Sequence, residues 1–173
     1  MGESLRLVTP LESLSPGRSV PLPEAVQAGG LGLEMTSTSV KPFVDTNVWV
    51  YAHDADEPLK RATALRLLDA LPAVTISAQV MSEFYVTVTR KLKVPLPPAV
   101  AARQLQAMAA TEVVAIDEAL VSGAAALSTS ERISFWDALI VNAAVKGNCD
   151  ALLTEDLADG RTIGGIRIRN PFA

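Results

Sequence analysis

The sequence predicts an α/β domain, a central parallel sheet of four to five short strands with helices on both faces in three layers. Three observations carry this. Short apolar runs alternate with longer helical stretches from residue 41 onward, and strands separated by helices imply a parallel sheet covered on both sides. Val80, Phe84, Val88 and Leu92 recur every fourth residue, the stripe of a helix with one face in the core. Hydrophobic residues make up 49% of the chain and aromatics only 5%; much of the apolar content is Ala and Leu, which favours helix.

The elements follow in order. Phe43 and Val44 form the first strand, ending at Asp45. Residues 73–76 form the second, 112–116 the third, 151–153 the fourth and 166–168 a short fifth. Helices are expected over 58–71, 78–92, 98–110, 117–127 and 134–145. No internal repeat is present. The first forty residues differ: Pro10, Pro16, Gly17, Pro21, Pro23, Gly29, Gly30 and Gly32 interrupt them and no period is sustained. They read as a disordered or loosely packed tail (1–40) ahead of one domain (41–173). A docking or linker tail is the other reading, and Met35, just before the first strand, is an alternative natural start.

Composition excludes several classes. At 173 residues the chain holds one domain with a proper core rather than two. One histidine, His53, and one cysteine, Cys149, rule out zinc sites built from Cys and His clusters and any ribonuclease mechanism with two histidines as acid and base. A lone cysteine forms no internal disulfide, which fits a reducing cytoplasm. The start carries Glu3 and no apolar core segment, so it is not a signal peptide, and no apolar run is long enough to span a bilayer. The expectation is a cytoplasmic protein with no membrane association. Its high hydropathy points to surface covered by a partner, a second copy of the chain being the simplest. The balance of 15 basic against 19 acidic residues, a net charge of −4, runs against nucleic-acid binding unless the acids concentrate in one cation-filled site.

Four carboxylates make that concentration plausible. In an open parallel sheet, ligands bind where strands end and the chain turns into loops and helices. Asp45 ends the first strand, Thr154, Glu155 and Asp156 follow the fourth, Glu83 sits in the second turn of the helix leaving the second strand, and Asp137 lies in the first turn of the helix from Ser134. Like-charged carboxylates at short range take up protons or bind a cation. Mg²⁺ or Mn²⁺ suits an all-carboxylate site, and such an ion can acidify water and stabilise charge on a phosphoryl group. That is phosphodiester hydrolysis without a histidine base.

Four segments also resemble the PIN-domain family. Val44-Asp45-Thr46-Asn47-Val48 looks like its opening motif. Ser82-Glu83-Phe84, Phe135-Trp136-Asp137-Ala138-Leu139-Ile140 and Leu152-Leu153-Thr154-Glu155-Asp156-Leu157 are similar to its later ones, in the expected order. Each motif alone is weak; four in register over residues 41–173 are strong. Within the family the pattern is most similar to the VapC toxins of bacterial toxin–antitoxin pairs. The resemblance implies a PIN-like fold and Mg²⁺- or Mn²⁺-dependent cleavage of RNA to 5′-phosphate and 3′-hydroxyl products. It also implies a homodimer and inhibition by a cognate antitoxin protein. Carried over residue by residue, Asp45 and Asp137 match the positions holding the metal most directly, Glu83 the third acidic position, and Asp156 a fourth that acts through water. Thr46, Asn47 and Thr154 match polar positions that orient carboxylates or the attacking water. The tail is the main departure, with the modest charge beside it.

Plainer roles exist for each residue. Ser134 and Asp137 form S-x-x-D, a helix capping box, and Asp137 can serve both purposes. Asp45 alone would be a turn residue at a strand end, Glu83 a solvated helix residue, and Asp156 part of the loop running on to the Asp159-Gly160 turn. His53 reads as a surface-loop residue despite its acidic neighbours, and Cys149 as a small apolar residue near the fourth strand. Arg90, Lys91 and Lys93 end a helix, where cations favour the dipole; a grip on RNA phosphates is the alternative. Other functions fit less well. A haloacid-dehalogenase-like phosphatase needs a second carboxylate where Asn47 stands. A receiver-like signalling module needs a lysine after a late strand, where Thr154 or Arg169 stands. A PIN nuclease of RNA processing, outside toxin–antitoxin pairs, and an idle PIN-like binding protein stay open.

Overall fold

The computed structural model describes residues 40–173; the tail and the alternative start at Met35 lie outside the described residues. The chain forms β1 (Pro42–Val44), α1 (Thr46–Tyr51), α2 (Pro58–Ala70), β2 (Thr75–Ser77), α3 (Ala78–Arg90) and α4 (Pro98–Met108). It continues through β3 (Glu112–Val114), α5 (Glu118–Glu131), α6 (Phe135–Lys146), β4 (Ala151–Leu153), β5 (Thr162–Ile163) and β6 (Ile166–Arg169). Each predicted strand and helix is present, with ends shifted by a few residues. The second strand, expected over 73–76, starts two residues later because Pro72 and Ala73 stay exposed in the loop.

The sheet has six strands, order β3-β2-β1-β4-β6-β5, one more than the four to five expected. Pairings among β3, β2, β1, β4 and β6 are all parallel, while β5 runs antiparallel to β6. The extra strand comes from a hairpin around Gly164 and Gly165, whose φ angles of 57° and 84° suit a tight turn that glycine enters without steric cost. A second addition is α1. Its six residues are too few to show a period, yet Val48, Trp49 and Val50 are all buried.

The order places a topological switch between β1 and β4. From β1 the chain steps outward to β2 and β3, then returns to the other side through β4 and β6. A crevice opens at the carboxyl ends of strands at such a point, and here it lies between Asp45, after β1, and Thr154, after β4. The core around it is apolar on both faces: Phe43, Val44, Ile76, Leu152 and Ile168 from the strands, and Val80, Phe84, Val88, Ala138 and Val141 from the helices, are buried. Leu92, the last of the four-residue stripe, lies beyond the end of α3 and is half-buried.

Candidate active site

Asp45 sits at the switch and is buried, at 7% exposure. It caps α1: its Oδ1 accepts the Thr46 N–H at 2.6 Å. Its own N–H donates to the Leu153 carbonyl at 3.0 Å, and Thr154 donates its hydroxyl to Asp45 Oδ2 at 2.7 Å. Parallel pairing of β1 with β4 is what brings these residues, 109 apart in sequence, into one bond. Burial pushes the Asp45 carboxyl up to about 7, opposed by the bonds from Thr154 and Thr46 and reinforced by the charges of Asp156 and Glu83.

Asn47, one residue into α1, faces the same point. Its amide nitrogen lies 3.1 Å from Thr154 Oγ1, 3.2 Å from Asp156 Oδ2 and 3.4 Å from Asp45 Oδ2. Asp156 donates its backbone N–H to Thr154 Oγ1 at 3.1 Å, which folds the loop after β4 into a tight turn. Its carboxyl is raised by partial burial and by the charges of Asp137, Glu155 and Glu83, with the Asn47 bond opposing.

Glu83 enters from α3. It accepts from Thr46 Oγ1 at 3.0 Å and from Gln79 Nε2 at 2.9 Å. Gln79 lies one helical turn before Glu83, so both project from one face, and its amide also reaches the Trp136 carbonyl at 3.5 Å. Asp137 keeps its capping role: its N–H donates to Ser134 Oγ at 3.1 Å, and Ser134 Oγ donates to its Oδ2 at 2.8 Å. Asp45, Thr46, Asn47, Glu83, Thr154 and Asp156 thus form one hydrogen-bonded network, while Asp137 joins it through its charge on Asp156 rather than through a hydrogen bond.

Among the described residues, no three acidic, histidine or cysteine side chains stand close enough, as placed, to hold one ion. The donor chemistry nonetheless fits a hard cation and its hydration water. It is all oxygen, its carboxylates repel one another, and two buried amide oxygens beside it, Asn47 Oδ1 and Gln79 Oε1, have no hydrogen-bond donor. The site opens into a groove of about 900 Å³ between α1 and α3, floored by Thr46, Asn47, Glu83 and Asp156.

Sequence reading missed several neighbours. Gln79 carried a signal, its four-residue spacing from Glu83. Tyr51, Lys60 and Glu155 carried none that propensity could reveal. Lys60 Nζ bonds Glu155 at 2.6 Å and Tyr51 Oη at 2.8 Å, and Tyr51 donates to Glu155. Phe172 packs edge-on against Tyr51 at 5.0 Å. The knot ties α1, α2 and the chain end to the residue between Thr154 and Asp156. His53 departs from the expected surface role: it packs edge-on against Phe84 with ring centroids 5.6 Å apart, and burial, with Arg61 adding, lowers its pKa to about 4. Cys149 lies in the core as expected. At the Asp159-Gly160 turn, Gly160 takes φ 75° and Asp159 accepts the Asn170 N–H at 2.9 Å.

No curated protein matches the chain in sequence. Solved structures share the fold. VapC20 of Mycobacterium tuberculosis, described as a sarcin–ricin loop cleaving toxin, is 23% identical with a TM-score of 0.53, over 65% of this chain and 87% of the other. A toxin–antitoxin complex from Klebsiella pneumoniae is 21% identical with a TM-score of 0.57, over 76% and 98%. VapBC2 of Rickettsia felis, bound to a DNA fragment of its promoter, is 21% identical with a TM-score of 0.53, over 75% and 97%. The family model of the PIN domain matches residues 43–158. A parallel sheet with a switch point between β1 and β4, acidic side chains gathered there and this match together establish that the chain belongs to the PIN-domain family.

Proposed function

We propose that this protein is a Mg²⁺- or Mn²⁺-dependent endoribonuclease and the toxin of a VapBC-type toxin–antitoxin pair. The observation that carries the reading is the single network joining Asp45, Glu83 and Asp156 at the strand ends, with Asp137 acting on it by charge. Toxins and toxin–antitoxin complexes among the structures of the same fold support the biological role.

Asp45, Glu83, Asp137 and Asp156 would hold the cation, which supplies charge neutralisation at a phosphoryl group and a more acidic water. The chain does the positioning. Thr154 and the Thr46 N–H fix both oxygens of Asp45. Thr46 and Gln79 fix both oxygens of Glu83, and Asn47 draws Asp156 toward Asp45. Each carboxylate is held before substrate arrives, so less ordering is left for the reactive complex. An antitoxin protein and a second copy of the chain are the proposed partners, and the cytoplasm the proposed compartment. No helix among the described residues is long and apolar enough to cross a membrane.

The test is cleavage of a defined RNA with Mn²⁺, with EDTA, and by Asp45→Asn. We expect cleavage only with metal and unsubstituted Asp45. Full activity in Asp45→Asn would sink the assignment.

A further inference from the structure

Trp136 stands on the lip of the groove, next to Asp137, and is 61% exposed. It is the only aromatic among the strongly exposed large apolar side chains of the described residues; the others are Val and Leu. A lone exposed apolar residue needs no explanation, but an indole fixed at the mouth of an acidic site does. Its backbone lies in the first turn of α6, and its carbonyl is held by the same Gln79 amide that holds Glu83. Phe135 backs the ring edge-on, with centroids 5.4 Å apart. The ring is therefore supported from behind and open in front.

Away from Glu83 and Asp156 the groove is lined mainly by apolar side chains, with a further carboxylate, Asp54, and a single cation, Lys91. From Glu83 it follows the exposed side of α3 past Val86 and Thr87 to Lys91, eight residues and about 12 Å of helix rise. Lys91 forms no ion pair among the described residues, whereas Lys60, Lys93 and Lys146 each do. One end of the groove would meet phosphate through a cation, the other through an ammonium, despite the net negative chain.

We propose that Trp136 is a stacking platform for an unpaired base of single-stranded RNA, with Lys91 holding a backbone phosphate further along the groove. This rests on the ribonuclease reading. The base that covers the indole must be unpaired, because bases within an A-form duplex are stacked on one another and cannot cover an indole face.

Fluorescence provides a direct readout. The chain has two tryptophans, and Trp49 is buried at 1% exposure, so a change on adding RNA reports Trp136. Titrating a short unstructured RNA into full-length Asp45→Asn with Mg²⁺ should quench the emission, and the matching duplex should not. Trp136→Ala, read by RNA anisotropy in the same background, should weaken binding about 10-fold, within the range for one stacked base, and Trp136→Phe should recover part of it. In otherwise unsubstituted protein, Trp136→Ala should raise KM by a similar factor and leave kcat and the melting temperature near their original values. Lys91→Met should lower the salt slope of binding by about 0.7. Unchanged RNA affinity in Trp136→Ala, or equal quenching by the duplex, would overturn the platform. So would loss of self-association or of a protein partner in Trp136→Ala with RNA affinity intact, which would make the face a protein-docking surface. Asp45-dependent cleavage with unchanged KM in Trp136→Ala defeats the platform alone. Quenching by RNA without any cleavage by the unsubstituted protein defeats the nuclease reading alone.

Discussion

The Thr46 hydroxyl donates to Glu83 Oε2 at 3.0 Å, joining the first turn of α1 to the second turn of α3. Thr46 also gives its backbone N–H to Asp45 at 2.6 Å. One residue therefore sets the relation between two carboxylates, one at the end of β1 and the other on α3.

Thr46→Val removes the hydroxyl and keeps the shape. Partners that orient metal-binding groups are worth roughly 10–100-fold in affinity, so Mn²⁺ binding measured by calorimetry should fall within that range, while the fold loses only about 1 kcal/mol. Thr46→Ser should restore binding. Unchanged affinity in Thr46→Val would show that Glu83 needs no such anchor.

Asp45→Asn should stabilise the EDTA-treated protein above neutral pH while abolishing cleavage. Burial raises the folded carboxyl to about 7 against 3.8 unfolded, so between those values the folded state binds the extra proton and stability falls as pH rises. Asparagine carries no charge, can still accept the Thr46 N–H, and removes that dependence. Melting temperatures from pH 5 to 8 with EDTA should converge at the acidic end and separate at the basic end, by an amount equivalent to roughly 1–3 kcal/mol. A variant less stable at pH 8 would contradict the buried charge as its cause.

His53 has the opposite sign. Its folded pKa, about 4, lies below the ordinary 6.5 through burial against Phe84, and its Nε2 is buried without a partner. Between these values only the unfolded chain takes a proton, so stability is full above about 6.5 and falls as pH drops toward 4. His53→Phe should flatten the acid limb of a urea-midpoint titration. A slope equal to that of the unsubstituted chain would assign acid lability to other groups.

The Lys60–Glu155–Tyr51 knot should matter to Asp156, one residue from Glu155. Lys60→Met leaves Glu155 without its cation and loosens the turn that presents Asp156. The expected result is weaker Mn²⁺ binding with a small loss of stability, partly rescued by Lys60→Arg. A drop in stability with metal affinity intact would confine the knot to packing of the chain end.

The amino-acid sequence by itself determined the alternation of strands and helices, the buried stripe of α3 and the Asp159-Gly160 turn, and it supplied the four acids proposed for the site. Each of these is set by local chemistry or by a period that shows within a dozen residues. It did not determine α1, too short to show a period, or β5, whose two residues are stabilised only by pairing with β6. The tertiary structure alone decided that Thr154 reaches Asp45 across 109 residues, that Thr46 and Gln79 together anchor Glu83, that His53 is half-buried against Phe84, and that Lys60 grips Glu155. Such relations depend on strand order and register, which arise from packing the whole chain at once, so no local window of sequence contains them.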